Sequence, residues 1–409
     1  MIRTASRLAH IDPFWVMECA KAAQEIARSP ACDPARGGEP MIYLNIGEPD
    51  FTAAAPVLAA AQACLASGQT QYTHATGLPA LRERISGWYA TRFGLNIDPA
   101  RIVVTAGASG ALQLLCLALF EPGDDVLMPD PCYPCNRHFV AAAGARAQLL
   151  PAGPQQRFQL DAASVAAAWG PATRGVLLAS PSNPTGTSIA PAELARIADV
   201  VRQHGGVTLV DEIYLGLSYE DGYSHSALGL GNGLGDDIIS INSFSKYFSM
   251  TGWRLGWMVL PPALVGAVEK LAQNLYICPS TLAQHAALAC FDEAALAEFE
   301  ARREQFRQRR DYFVPALESI GLKVPVRPDG AFYVWADCSN FLAAGSSMPS
   351  SWEFSFEMMR RAHVAFTPGR DFGPACADHF VRLSFANSMA QLETAVQRLG
   401  RELGREPAR

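Results

Sequence analysis

Apolar positions in the middle of the 409-residue chain fall into short continuous runs, and segments with helical periodicity separate them. We predict that the runs are buried strands, because each holds a few aliphatic residues and ends at proline, glycine or polar residues; they lie at 102–105, 125–129, 175–179, 206–210, 238–242 and 255–260. Helices are predicted between them, including 112–119 and 192–204. Such alternation of strand and helix is typical of an α/β domain.

The N-terminal part of the chain has a different pattern. Apolar residues from Phe14 to Ile26 recur at rough helical spacing and predict one helix, which a proline- and glycine-containing loop follows. A short apolar strand over 41–46 then turns at Gly47. We expect residues 1–45 to form an N-terminal arm and part of a small domain.

The C-terminal part contains a charged helix, predicted over 295–317. Its arginines, including Arg309 and Arg310, are interpreted as a solvated face. Alternating strands are expected after it, at 322–326, 330–335 and 380–385. The chain is too long for one ordinary core. We therefore predict a large domain over 46–290 and a C-terminal small domain over 291–409.

Composition excludes several classes of protein. Hydrophobic residues make up 49% of the chain and charged residues 18%, which describes a globular protein. A formal net charge of −6 argues against a nucleic-acid partner. No apolar run is long enough to span a membrane, and the N-terminus lacks the apolar segment of a signal peptide. Ten scattered cysteines indicate a reducing compartment, so we expect a cytoplasmic protein.

A lysine lies in an unusual setting directly after the strand at 238–242. Lys246 is flanked by hydroxyl and aromatic side chains, and Arg254 follows eight residues later. Loss of hydration lowers the pKa of such an amine and lets it attack a carbonyl group. Ser243, Ser245 and Arg254 are the groups that would surround a phosphate. Pyridoxal 5′-phosphate (PLP) needs both features, since its aldehyde forms a Schiff base with a lysine; a solvated surface turn is the alternative.

A second anion site is predicted at the small-residue segment 106–111, which we expect to be a loop before the helix at 112–119. Its residues Gly107, Ala108 and Ser109 leave backbone N–H groups open at a helix N-terminus. Ordinary tight turns between strand and helix use the same residues. Together with Arg254 and its neighbouring serines, the segment forms the other half of a phosphate site.

Polar residues also follow the predicted strands. Asp211 ends a buried strand, where a charge is costly unless it is paired, and a pyridinium nitrogen is such a partner. Tyr214 can donate to the phenolic oxygen of the same ring, and Tyr133 can stack on it. A packed tyrosine at 133 is the competing interpretation. Arg382 lies within an apolar alternation, so its direction, inward or outward, decides its role.

These segments resemble those of class I/II aminotransferases, the fold-type I PLP enzymes. The resemblance runs from about residue 44 to 385, and its most specific parts occur in the family's order: Ser182-Asn183-Pro184-Thr185-Gly186, Asp211-x-x-Tyr214, the lysine segment with Arg254, and Arg382. It implies an α/β fold with a doubly wound, mostly parallel sheet in the large domain and a smaller α+β domain.

The resemblance also implies an activity and residue roles. The enzyme would move an amino group from an L-amino acid to a 2-oxo acid by a ping-pong mechanism through the Lys246 Schiff base. Asn183 would donate to the cofactor's phenolic oxygen, and Arg382 would bind the substrate carboxylate, with Gly47 close to it. Tyr72 would reach the partner subunit's cofactor phosphate, which implies a homodimer with shared sites. Apart from the resemblance, the arm over 11–15 and the loops near 72, 276 and 370 are candidates for the substrate side-chain pocket, and a surface salt bridge is the favoured role of Arg370.

Three other functions share part of this pattern. Ser243-Phe-Ser-Lys246 matches the S-x-x-K motif of β-lactamase-like acylases, but their downstream motifs are missing. A PLP-binding transcription regulator needs a DNA-binding domain, for which the chain has no room. A β-eliminating C–S lyase of the same fold remains the alternative, since it would use the same residues.

Two further motifs carry no site. Gly229-Leu-Gly-Asn-Gly-Leu-Gly235 lacks the third glycine and the preceding strand of a dinucleotide-binding turn. Cys132 and Cys135 have metal-ligand spacing without a second ligand pair, so no metal is predicted.

Overall fold

A central sheet of seven strands organises the computed structural model, which describes residues 2–375 and 377–405. The strands of these residues are β1 Ile42–Tyr43, β2 Ile102–Thr105, β3 Asp125–Asp130, β4 Arg146–Pro151, β5 Thr173–Ala179, β6 Val207–Asp211, β7 Ile238–Ser243, β8 Gly256–Val259, β9 Tyr333–Asp337, β10 Val364–Ala365, β11 Thr367–Pro368 and β12 Phe380–Ser384.

The α-helices cover both faces of this sheet and build most of the remainder. They are α1 Trp15–Ala27, α2 Ala55–Ala66, α3 Pro79–Phe93, α4 Gly107–Leu119, α5 Pro134–Ala143, α6 Ala162–Ala168, α7 Pro191–Gln203, α8 Leu234–Asp237, α9 Pro262–Leu275, α10 Thr281–Leu288, α11 Glu293–Ser319, α12 Ser351–Arg361 and α13 Met389–Glu402. None of the helices in the described ranges is both long enough and apolar enough to cross a membrane.

The central sheet has the order β2-β8-β7-β6-β5-β3-β4. The pairs from β4 to β7 are parallel, whereas β8 runs antiparallel to both β7 and β2. The inner strands β3, β7 and β8 are buried on both faces, which explains why they appear in the sequence as largely apolar runs. The predicted α/β fold with a doubly wound, mostly parallel sheet is confirmed.

Alternate residues of each strand reach opposite faces of the sheet and belong to different cores. In β2, Ile102 and Val104 pack into one core, and Val103 packs into the other. Helices α4 and α9 contribute to the second core, for example through Leu112 and Val268. Because both faces are covered, ligand groups have access at the strand ends, where Ala179 of β5 pairs with Asp211 of β6.

A smaller unit joins the two ends of the chain. Strands β11, β12 and β9 form an antiparallel sheet, and β1 pairs in parallel with β10. The β1–β10 pair links the N-terminal segment to the C-terminal one. This strand pairing supports the domain boundaries that we propose, in which residues 1–45 belong with the small domain of residues 291–409.

Two sequence predictions about local structure are wrong. The segment 106–111 is not a loop, because α4 already begins at Gly107. Small residues carry no apolar periodicity that distinguishes a loop from the first turns of a helix. The stretch 322–326 is not a strand of the described structure, where Lys323 makes only an isolated bridge to Asp337. Pro325 lacks the N–H group that a longer ladder would need.

The solvated arginine face predicted for α11 is also wrong in part. Arg309 and Arg310 are buried. The guanidinium of Arg309 donates to both carboxylate oxygens of Asp50 at 2.7 and 2.9 Å, and Arg310 pairs with Glu220 and Asp311. These partners lie far away in sequence or outside the helical spacing, so the charge pattern of α11 alone does not indicate them.

Asp50→Ala is expected to destabilise the fold by about 2 kcal/mol, because the buried guanidinium of Arg309 would lose its counter-charge while Asp50 itself is partly exposed. The midpoint of denaturant unfolding measures this loss. The matched control is Glu304→Ala, which removes one partner of the solvent-exposed pair with Arg307 and should change the midpoint little. Equal midpoints for the two variants would contradict the prediction.

Candidate active site

A cavity of about 360 Å³ opens at the carboxyl ends of β5, β6 and β7. Most of the residues predicted for the site line it: Gly47, Ala108, Ser109, Tyr133, Asn183, Asp211, Tyr214, Ser243, Ser245, Lys246, Arg254 and Arg382. Gly107 lies beside it, against Arg254. Tyr72 does not line it and is 79% exposed on its own chain.

Lys246 lies in the turn that follows β7 and points into the cavity. Its Nζ donates to the carbonyl oxygen of Gly47 at 2.5 Å, and the rings of Tyr214 and Phe332 lie within 6 Å of it. Burial lowers the pKa of Lys246 to about 8, against a smaller opposing effect of the Glu48 carboxylate. The uncharged, nucleophilic form of this amine is therefore more populated near neutral pH than it is for an ordinary lysine.

Asp211 and Glu212 are adjacent buried carboxylates with different surroundings. Glu212 accepts hydrogen bonds from the Ser226 and Ser240 hydroxyls and from the N–H of Ala227. Asp211 accepts one, from the N–H of Ile213 at 3.0 Å. Burial raises the pKa of Asp211 to about 6, and the nearby Lys246 charge opposes the shift. Asp211 is therefore the carboxylate that is free to bind a ligand in the cavity.

The groups predicted to bind phosphate meet at the start of α4. The Ser243 hydroxyl donates to Ser245 Oγ at 2.9 Å, and Arg254 lies opposite in a left-handed conformation. A Cβ atom on Gly107 would come within 2.8 Å of Arg254 Nη2, so glycine allows the guanidinium to reach the helix. No side chain caps the N-terminus of α4. Open N–H groups, two hydroxyls and a guanidinium form a site for an anion.

Arg382 on β12 points inward and is buried. Its Nη1 donates to Asn183 Oδ1 at 2.8 Å and its Nη2 to the carbonyl oxygen of Asn45 at 2.9 Å. The guanidinium also lies 4.5 Å from the ring centroid of Tyr333. Among the residues that the structure describes, Nε has no partner and no carboxylate forms an ion pair with the group. A buried cation of this kind is suited to a carboxylate ligand.

The aromatic groups around Lys246 include one that sequence reasoning missed. Tyr133 lines the cavity and packs edge-on against Phe14. The hydroxyl oxygens of Tyr214 and Tyr333 lie 2.9 Å apart, and Tyr333 also contacts Arg382. Tyr333 belongs to the predicted strand at 330–335, but nothing in that strand pattern indicates which of its residues faces a site.

The N-terminal arm reaches the cavity as expected, through Phe14, whereas Tyr276 and Arg370 do not line it. The Arg370 guanidinium instead lies over the rings of Trp15 and Trp352, at 4.8 and 5.4 Å. Within residues 2–375 and 377–405, no three His, Cys, Asp or Glu residues are arranged to hold a metal ion. Cys132 is buried, and burial raises the pKa of its thiol to about 12, which disfavours the thiolate that metals bind.

Comparisons with known proteins agree on one family. A family model described as aminotransferase class I and II matches residues 39–399. The valine–pyruvate aminotransferase of Mycobacterium tuberculosis is 39% identical over 392 residues, 96% of each chain. The aspartate aminotransferase of Geobacillus stearothermophilus is 34% identical and covers 98% of each chain. The crystal structure of an aminotransferase from Mycobacterium tuberculosis, 39% identical, superposes with a TM-score of 0.91 over 99% of this chain and 100% of the other.

In protein without cofactor, the amine of Lys246 is expected to lose its proton around pH 8, because its pKa is lowered from 10.5 to about 8. Acetylation of Lys246, followed by mass spectrometry of its peptide across a pH series, should rise with a midpoint near 8. Glu48→Gln should move that midpoint to lower pH, because the Glu48 charge favours the ammonium form. A midpoint near 10.5 would contradict the account of the site.

Proposed function

The chain belongs to the class I and II aminotransferase family, and we propose that it uses PLP, held around Lys246, to move an amino group from an L-amino acid to a 2-oxo acid. The observation that carries this proposal is the set of charges in one cavity. Lys246, Asp211, Arg254 and Arg382 all line it, and none forms an ion pair with another described residue. By contrast, the buried guanidinium of Arg309 is paired with the Asp50 carboxylate.

The residues present fit PLP at each of its polar groups. The start of α4 with Ser243, Ser245 and Arg254 would bind the phosphate. Asp211, a buried carboxylate with one donor, would bind the ring nitrogen and keep it protonated. The bound cofactor supplies an electron-poor ring that accepts the electron pair of a substrate bond.

Three neutral residues complete the proposed cofactor site. Asn183 and Tyr214 would donate to the phenolic oxygen, and the Tyr133 ring would lie against the cofactor ring. The amide of Asn183 also accepts from Arg382 through Oδ1, which leaves its N–H groups available for the cofactor. Asn183 would therefore connect the cofactor site to the substrate site.

Arg382 would orient the substrate by binding its α-carboxylate through a planar, two-pronged contact that lysine cannot make. Gly47 lies beside the amine, since its carbonyl oxygen accepts from Lys246 Nζ, and the carbonyl oxygen of Asn45, two residues earlier, accepts from Arg382. Once a substrate amine has taken its place, Lys246 Nζ would remove the substrate's Cα proton and return a proton as general base and acid. A pKa of about 8 suits both roles near neutral pH.

The same site would serve two half-reactions in turn, with the 2-oxo acid product of the donor leaving before the acceptor binds. A β-eliminating C–S lyase would use the same charged residues, and the comparisons give it no support. The substrates of the relatives differ in charge, so the family alone does not name the donor of this chain.

We further propose a homodimer with shared sites. Tyr72 is 79% exposed and lies outside the cavity of its own chain, which supports a role at the cofactor phosphate of a second subunit. A cytoplasmic location is part of the proposal and is supported by the described cysteines, which are all free.

Lys246→Ala is expected to abolish transamination, because no other lysine lines the cavity. Borohydride reduction of the holoenzyme, followed by peptide mass spectrometry, should place the cofactor on Lys246 and leave Lys246→Ala unlabelled. The matched control Lys270→Ala, on an exposed position of α9, should be labelled and active. Normal turnover by Lys246→Ala would refute the assignment.

Tyr72→Phe removes only the hydroxyl that we propose contacts the partner's phosphate. Loss of a hydrogen bond to a charged group costs about 1.5–3 kcal/mol, so the dissociation constant of the cofactor should rise about tenfold or more. Equilibrium dialysis measures this constant, and Tyr312→Phe on α11 should leave it unchanged. A monomeric holoenzyme in sedimentation, or unchanged cofactor affinity in Tyr72→Phe, would rule out the shared site.

A further inference from the structure

One group of residues that line the cavity is apolar. Phe14 lines it together with Val16, Met17 and Ala20 of α1, and Ile46 lines it from the turn after β1. Met17 is 53% exposed and Ile46 is 45% exposed. Large apolar side chains that are exposed at a cavity favour contact with an apolar part of a ligand.

The charged residues of the cavity leave no cation for a second acidic group. Of the described residues that line it, the cations are Lys246, Arg254 and Arg382, and the proposed function uses each of them. The remaining carboxylate is Glu48, which accepts a hydrogen bond from the Thr251 hydroxyl and lies close enough to Lys246 to affect its pKa. Within one chain, an acidic substrate side chain would therefore meet apolar groups, the like charge of Glu48 and the neutral Asn45 amide, and no free cation among the described lining residues.

Helix α1 is held in place over the cavity by a residue from the other end of the chain. The buried carboxylate of Asp371 accepts hydrogen bonds from the N–H groups of Trp15 and Val16 at 3.0 and 2.5 Å. The N-cap residue Phe14 provides no side-chain cap of its own. A carboxylate at a helix N-terminus is also favoured by the helix dipole. The apolar wall therefore has a defined position relative to Arg382.

We propose that the amino donor is a monocarboxylic L-amino acid with an apolar side chain, which packs against Val16, Met17 and Ile46 while Arg382 binds its carboxylate. The inference rests on the proposed function and names the substrate class of the same site. A side chain the size of leucine gains binding free energy when it is buried, whereas a carboxylate loses its hydration without gaining a counter-charge. The apolar ligand should therefore bind about tenfold more tightly or better.

Two unreactive carboxylates test binding without turnover. Calorimetric titration of the holoenzyme with 4-methylpentanoate, which is leucine without its amine, should give a dissociation constant at least about tenfold lower than titration with glutarate, the corresponding form of glutamate. Leucine should likewise be converted to its 2-oxo acid faster than glutamate is. Equal or tighter binding of glutarate would overturn the inference.

A matched pair of variants tests the wall itself. Met17→Arg places a cation beside the substrate side chain, so it should weaken binding of 4-methylpentanoate and strengthen binding of glutarate, each about tenfold. Leu8→Arg adds the same charge at a residue that is also 53% exposed but does not line the cavity, and it should change neither constant. Equal effects of the two variants, or none from Met17→Arg, would overturn the assignment of this wall.

The failure of this inference differs from failure of the proposed function. If the holoenzyme forms a 2-oxo acid faster from glutamate than from leucine, the substrate class is wrong and the proposed function stands. If amino acids of neither class lose their amino group to a 2-oxo acid, the proposed function is wrong and the inference fails with it.

Discussion

The charges that meet in one cavity without forming ion pairs among the described residues are the constraint on which the rest of the structure depends. A buried charge is stable only when a counter-charge or several hydrogen bonds compensate it. Arg309 and Arg310 follow this rule within the protein. The side chains of Lys246 and Asp211 each make one hydrogen bond to a neutral group, and Arg382 makes hydrogen bonds to neutral groups without a counter-charge. The protein is therefore arranged to receive ligands whose charges complete these pairs.

The fold brings these groups together because different strands of the two sheets carry them to one cavity. Asp211 ends β6, Lys246 follows β7, and Arg382 is on β12 of the smaller sheet. The rigid central sheet holds the first two, and the β1–β10 pair connects the smaller unit to the turn at Gly47. A site built from both units brings the proposed cofactor groups and substrate groups within one cavity.

Much of this arrangement could be predicted from the sequence, because the inner strands are apolar on both faces and a polar residue such as Asp211 stands out at their ends. The edge strand β4 was missed, since its half-exposed residues lack a continuous apolar run. Long-range contacts could not be predicted. Asp50 lies 259 residues from Arg309. Asp371 lies 355 residues from Val16 and accepts a hydrogen bond from its N–H group. Only the folded chain shows such partners.

The most direct test of the central claim is a crystal structure of the holoenzyme with 4-methylpentanoate bound. The account predicts electron density that joins Lys246 to the cofactor, a phosphate at the start of α4 beside Arg254, and the ligand carboxylate on Arg382. Asp211 should contact the ring nitrogen. A cofactor bound elsewhere, or Arg382 paired with a carboxylate of the protein while the ligand lies apart from it, would contradict the claim that these charges are kept for ligands.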